Sequence, residues 1–195
     1  MNIILASTSP IRRKLLENAG LPHTCRKPDI DERILTSEHP HWTAETTAKE
    51  LAAAKALSIS QQEPACLVIG ADQVLSHRGR IFNKPTTRDE CRHHLLELRD
   101  SSHQLLSAIS CASQGKLIWN HTSAATLHMR PFTPEFIEDY LAAIGDDGLS
   151  SVGGYKLESI GIQLFDVIDG DYFAILGLPL LPLLGFLRQH GAIPI

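Results

Sequence analysis

Two adjacent arginines, Arg12 and Arg13, follow the hydroxyl-rich run Ala6-Ser7-Thr8-Ser9-Pro10-Ile11. Ser9 suits a helix N-cap and Pro10 the first helical position, so both arginines fall in the first turn of a helix. The backbone there already carries about half a positive charge, and cations are unfavourable unless an anion pairs with them. A strand, a turn rich in hydroxyls and a helix N-terminus also present free N–H donors, a recurrent setting for phosphate. The alternative is that both arginines run their stems along the helix and leave their charge in water.

Asp72 is the second candidate. It follows the apolar run Val68-Ile69-Gly70-Ala71, at the carboxyl end of a strand, where open α/β sheets place their ligands. An unpartnered buried carboxylate is costly, so such a residue binds metal, accepts hydrogen bonds or takes part in catalysis. Capping the next turn is the structural alternative. The acidic run Asp29-Ile30-Asp31-Glu32 could add carboxylates for a hard divalent cation, which takes one or two of them together with substrate phosphates. Solvated surface would account for it equally well. Lys55, in an alanine-rich stretch, and Lys84, before Pro85, could each hold a phosphate, although most lysines do not.

Other chemistries are excluded by what the sequence lacks. There is no G-x-x-x-x-G-K-[ST] loop and no G-x-S-x-G elbow. The pairs His93/His94 and His39/His41 lack the i,i+4 spacing of a zinc hydrolase and read as surface residues. Cys25, Cys66, Cys91 and Cys111 are scattered, which argues against a zinc site, fits a reducing compartment and suggests small apolar fillers. The 195 residues are 43% hydrophobic and 21% charged, as in soluble globular proteins. A net charge of −4 does not suit a nucleic-acid groove or an anionic membrane surface, so an anionic ligand needs a local cluster of cations. No signal-peptide pattern is visible at the N-terminus. The most apolar stretch, Leu176 to Leu187, is interrupted by Pro179, Pro182 and Gly185 and is too short to span a bilayer. The expectation is a cytoplasmic protein with no membrane or nucleic-acid partner.

The elements that must position these residues follow from local pattern. Asn2–Ala6 and Cys66–Gly70 are apolar runs that read as buried strands. A helix is expected from Pro10 to about Ala19, ended by Gly20. The polar, proline-containing residues 27–42 read as a loop. Thr43 opens an alanine-rich helix through Leu57. His77-Arg78-Gly79-Arg80 suggests a hairpin turn. Thr87 with Glu90 makes a capping box for a helix ending near Arg99. Gln104–Ser113 and Lys116–Met129 read as strands joined at Gln114-Gly115. Thr133 and Pro134 start a helix through Ala143. Residues 145–154 read as a glycine-rich loop, Gly161–Ile168 as a strand, and Leu180–His190 as a closing helix. Strands and helices interleave around one hairpin-rich stretch, so the class is α/β with a mixed sheet flanked by helices. No repeat or linker divides the chain, and residues 1–195 are expected to form a single domain.

Taken together, the segments LASTSPIRRKLL at 5–16, DIDE at 29–32, the alanines around Lys55, VIGADQV at 68–74, NKP at 83–85, GGYKLESIGIQLF at 153–165 and GDYFAILGLPLLPLL at 170–184 resemble the Maf family of nucleoside triphosphate pyrophosphatases. They occur in the family's order over nearly the whole chain. The resemblance implies an α/β fold akin to inosine triphosphatases, with two lobes around a substrate cleft, often as a homodimer. It also implies cleavage between the α- and β-phosphates, dependent on a divalent metal such as Mg2+ or Mn2+.

Carried over, the resemblance gives Ser7, Arg12 or Arg13, Lys55 and Lys84 to the phosphates. Glu32 and Asp72 would bind metal, and Asp72 would be the base that activates water. Gln73 and Glu158 resemble the branch acting on 7-methyl-GTP, where the dTTP/UTP branch typically has Thr and Gln. Ile11 stands where related 7-methyl-GTP enzymes can carry an aromatic residue. If that position lies over the base, a stacking or cation–π contact worth ~1–2 kcal/mol is missing. Ala54 replaces an acidic residue common before the helix lysine. Two alternatives stay open: a dTTP/UTP pyrophosphatase of the same family, and a nucleotide-binding regulator of cell division. An unrelated phosphotransferase would instead leave a modified acceptor.

Overall fold

A computed structural model describes residues 1–194. In chain order the elements are β1 (Asn2–Ala6), α1 (Pro10–Asn18), β2 (Thr24–Arg26), α2 (Glu32–Ser37), α3 (Ala44–Ser60), β3 (Cys66–His77), β4 (Arg80–Phe82), α4 (Arg88–Leu98), β5 (Ser101–Ser113), β6 (Lys116–Met129), α5 (Pro134–Ile144), β7 (Phe165–Asp169), α6 (Tyr172–Ile175) and α7 (Leu180–Gln189). Short 3-10 turns cover Gly145–Ser150, Val152–Gly154 and Ile160–Leu164. Seven strands make one sheet in the order β2-β1-β3-β5-β6-β7, with β4 on β3. β1 is parallel to both β2 and β3, whereas β3–β4 and β6–β7 are antiparallel. The expected mixed α/β sheet flanked by helices is therefore present. Among the described residues no helix is long and apolar enough to cross a membrane.

The chain divides into two compact units. The first holds Met1–Gln73, Leu106–Ser123 and the stretch from Asp171 onward; the second holds Val74–Leu105 and Ala124–Gly170.

In the first unit, Ile3–Ala6 of β1 and Leu67–Ile69 of β3 are buried at consecutive positions. That is the signature of parallel strands covered on both faces, which need no alternation of polar and apolar residues. Helix α1 begins at Pro10 as expected, but its N-cap Ser9 makes no side-chain capping bond. Residues 27–42 are not all loop. Asp31 caps α2, its carboxylate accepting the Arg33 and Ile34 N–H groups at 3.0 Å. Six residues between Pro28 and Pro40 are too few to show a helical period, so the cap was the only local signal. Helix α3 starts on the Thr43 cap and runs three residues past Leu57.

In the second unit, Thr87 Oγ1 accepts the Glu90 N–H at 3.1 Å. The reciprocal half of the capping box falls one residue early, because the Glu90 carboxylate takes the Thr86 N–H and hydroxyl. Arg78 and Gly79 turn the β3–β4 hairpin with positive φ. The strand expected over Gly161–Ile168 is instead a 3-10 turn followed by β7. Arg130 supports that turn through its N–H to Leu164 O and its guanidinium to Gln163 O. His94 is not a surface residue: it is buried edge-on to Phe82, with ring centroids 4.9 Å apart. Cys91 and Cys111 are buried and burial raises both thiols, as fillers require, but Cys25 is exposed.

Candidate active site

The site in the first unit is built where α3 meets β3. An alanine-rich helix presents little side-chain bulk, and Gly70 presents none. A Cβ at position 70 would lie 2.2 Å from Ala52 O and 2.6 Å from Ala56 N, so the helix backbone sits directly on the strand. Lys55 precedes Ala56, and Asp72 shares a strand face with Gly70 because side chains alternate along β3. The close approach puts Lys55 Nζ 2.5 Å from Asp72 Oδ1. A second carboxylate arrives from α2: Glu32 Oε1 lies 2.9 Å from the same ammonium. Lys55 and Asp72 are buried at about 6% exposure, whereas the Glu32 side chain is half exposed.

Asp72 is not at the carboxyl end of its strand, as its sequence position suggested. β3 continues to His77, and its Leu75, Ser76 and His77 pair with β4. A run ending in Ala-Asp-Gln reads locally as a strand terminus, but antiparallel pairing beyond it holds the backbone extended.

Arg12 does not extend into water. Its Nε donates to Gly177 O at 2.7 Å and its Nη1 to Ala71 O at 2.9 Å. It thereby joins α1, β3 and the turn after α6, with its charge near Asp72 and Glu32. Burial lowers its basicity, while Asp72 and Glu32 oppose that effect. Burial also pushes the Asp72 carboxyl above its ordinary range, against the pull of Lys55 and Arg12. Arg13 is exposed. Ser7 is buried, and its Oγ accepts the Ser9 N–H at 3.1 Å, so the hydroxyl hydrogen has no protein acceptor among the described residues. Ile11 is half-buried, and Ala54 lines a groove with Ile30, Ile34 and Glu38.

Gln73 follows Asp72 and so faces the other side of the strand. Its Nε2 donates toward Ala174 O (3.1 Å), Ile175 O (2.9 Å) and Ser107 Oγ (2.9 Å), and Ser107 Oγ donates to Ala174 O at 2.7 Å. These bonds cap the end of α6, where Ala174 O also accepts the Gly177 N–H at 2.8 Å. Two carbonyls at the amide nitrogen also fix which end of Gln73 is which.

The structure thus brings Asp72, Lys55, Glu32 and Arg12 together and turns Gln73 away from them. Asp29 is exposed, and Asp31 serves as a helix cap. Lys84 and Glu158 belong to the second unit, where both are exposed. Glu158 follows the buried Tyr155, whose hydroxyl meets His103 Nε2 at 2.7 Å. Sequence reading passed over Gly70, Ser107 and the carbonyls of residues 174–177. Gly70 did leave a signal, since a glycine inside an apolar strand marks close backbone approach; the others left none.

Chemically, Asp72 is a buried carboxylate whose ionised form is supported by two cations. Glu32 and Asp72 are hard oxygen donors sharing one ammonium. No group of three or more His, Cys, Asp or Glu side chains able to hold a metal occurs among the described residues. A carboxylate pair of this kind suits a cation that completes its shell with substrate oxygens and water.

The Maf-like protein family matches residues 2–190. A 7-methyl-GTP pyrophosphatase from Rhizobium johnstonii is 48% identical over 193 residues, covering 98% of this chain and 97% of its own. A nucleoside triphosphate pyrophosphatase from Granulibacter bethesdensis is 45% identical over 197 residues, covering both chains completely. The solved structure of a HAM1 protein from Coxiella burnetii aligns over 66% of this chain and 73% of its own, with 18% identity and a TM-score of 0.45. The match from residue 2 to residue 190, with relatives near half identical from end to end, establishes that this chain belongs to the Maf-like protein family.

Proposed function

We propose that this chain hydrolyses a nucleoside triphosphate to the monophosphate and pyrophosphate, with 7-methyl-GTP as its preferred substrate. The names of its relatives support the reaction class and the substrate. The observation that carries the chemistry is the buried Asp72 carboxylate, held by Lys55 at 2.5 Å with Arg12 nearby.

In this reading Asp72 accepts a proton from water as the water oxygen bonds to the α-phosphorus. The bond from that phosphorus to the bridging oxygen breaks, and pyrophosphate leaves with the electron pair. Asp72 must be ionised to act. Burial opposes ionisation, while Lys55 and Arg12 favour it, which leaves a carboxylate more basic than a solvated one. Glu32 and Asp72 would hold a divalent cation, Mg2+ or Mn2+, which supplies positive charge against the phosphate oxygens. Ser7, with its unused hydroxyl hydrogen, and Arg13, exposed in the first turn of α1, are the phosphate donors of this unit. Arg12 orders the backbone through two carbonyls and acts on the site through its charge. By family resemblance, Lys84 binds phosphate and Glu158 reads the base. A 7-methylguanine ring is cationic and offers N–H donors to a carboxylate, whereas uracil and thymine present carbonyl oxygens.

The test is a panel of 7-methyl-GTP, GTP, UTP and dTTP with Mg2+, the products separated as pyrophosphate or orthophosphate. Monophosphate and pyrophosphate, formed fastest from 7-methyl-GTP, are expected. Orthophosphate and a diphosphate would refute the cleavage position. Binding without turnover would turn the reading towards a nucleotide-responsive regulator.

A further inference from the structure

The Lys55 ammonium touches both carboxylates assigned to the metal, Asp72 at 2.5 Å and Glu32 at 2.9 Å. Together with Arg12, these groups carry two positive and two negative charges. A divalent cation added alone would leave a partly buried, weakly screened site with two excess positive charges. It would also have to compete with an ammonium already placed between its ligands.

The two protein cations differ in freedom. Arg12 is pinned by the Gly177 and Ala71 carbonyls. Among the described residues the Lys55 ammonium makes no polar contact beyond the two carboxylates, and its four-carbon stem can re-aim that ammonium. A triphosphate supplies the negative charge that the cation requires and a new partner for Lys55.

We infer that Lys55 couples metal binding to triphosphate binding: its ammonium holds Glu32 and Asp72 until phosphate oxygens draw it away and release both carboxylates to the cation. The inference rests on the reading of Glu32 and Asp72 as metal ligands. Coupling is reciprocal, so the nucleotide raises metal affinity by the factor by which metal raises nucleotide affinity. A purely structural Lys55–Asp72 ion pair makes a different prediction. Its removal would lower stability without improving metal binding.

The experiment measures Mn2+ binding to the full chain by paramagnetic resonance and calorimetry, with and without an α,β-methylene triphosphate analogue that cannot be cleaved. Wild type should bind Mn2+ about tenfold or more weakly without the analogue. Lys55→Met should tighten nucleotide-free Mn2+ binding on the order of tenfold and shrink the effect of the analogue. Lys55→Gln, which keeps a hydrogen-bond donor for Asp72 without the charge, should do the same and guards against a folding defect in the methionine variant. Unchanged or weaker nucleotide-free Mn2+ binding in a folded Lys55 variant overturns the inference. So does a wild-type affinity that ignores the analogue. Asp72→Asn tests the underlying reading separately: with the analogue present and its own Mn2+ complex subtracted, it should weaken Mn2+ binding to the protein about tenfold or more, and an affinity equal to wild type would show that Asp72 is not a metal ligand.

Discussion

Replacing Gly70 with alanine adds one methyl group at the place where α3 rests on β3. The new Cβ would lie 2.2 Å from Ala52 O, 2.6 Å from Ala56 N and 3.0 Å from Ala56 Cβ. Two of these atoms are helix backbone, so no rotamer change relieves the clash. Reaching an ordinary contact of 3.4 Å requires α3 to retreat by about 1.2 Å. That would carry the Lys55 backbone away from Asp72, so the 2.5 Å contact would survive only where the lysine stem re-extends to follow it. Overpacking of this kind costs ~1–3 kcal/mol, and each kcal/mol is worth about 2–4 °C in a chain of this size. Turnover should fall more steeply, because a misplacement of about 1 Å in a catalytic arrangement costs on the order of 10²-fold. Melting curves and steady-state turnover on G70A measure the two effects. Gly185→Ala is the control: apart from its own helix backbone, no atom of the described residues lies within 4 Å of its added Cβ, and alanine in a helix interior should stabilise by up to ~1 kcal/mol. Wild-type turnover in a folded G70A would show that α3–β3 spacing does not set the site.

Asp72→Asn keeps the shape and removes the basicity, so turnover should drop at least ~10²–10⁴-fold with the fold intact; near-wild-type turnover would move the base elsewhere, with Glu32 the first candidate. Arg13→Ala should raise KM for the triphosphate with little change in melting temperature, and a lowered Tm with unchanged KM would make Arg13 structural. Glu158→Gln should narrow or reverse the preference of kcat/KM for 7-methyl-GTP over UTP and dTTP, and an unchanged ratio would remove Glu158 from base recognition. His103 is buried, and burial lowers its pKa from 6.5 to about 4. Between those values the unfolded chain binds the extra proton, so this contribution is fully present above about pH 6.5 and is lost as pH falls towards 4, about 3 kcal/mol in all. His103→Gln should therefore reduce the difference in Tm between pH 7.5 and pH 4.5; an equal difference would place the acid sensitivity in other groups.

Several features were legible because they depend on residues close in sequence. Pro10, the Thr43, Thr87 and Thr133 caps and the Gln114-Gly115 turn act through backbone geometry within a few residues, and each lies where its element begins or the chain turns. The misreadings have the opposite origin. α2 is too short for a hydrophobic period. The turn over Ile160–Leu164 is held by Arg130, some thirty residues away. His94 looks like half of a polar pair until the fold lays it against Phe82.

The same division runs through the candidate site. Residue type and order alone marked Asp72, Glu32, Lys55 and the two arginines as candidates for phosphate chemistry, and the pattern of short segments pointed to the family. Charge and hydrogen-bonding capacity belong to the residue itself. Which of those groups meet was decided only by tertiary structure. Arg12 and Arg13 are equivalent in sequence, yet one is fastened to two carbonyls while the other is exposed. Gln73 is covalently next to Asp72, but the strand's alternation turns it to the carbonyls of α6. Lys55 and Glu32 lie 17 and 40 positions from Asp72; Lys55 reaches it where Gly70 lets α3 and β3 touch, and Glu32 arrives on α2. Contacts of this kind depend on packing distances between elements, which no local sequence pattern encodes.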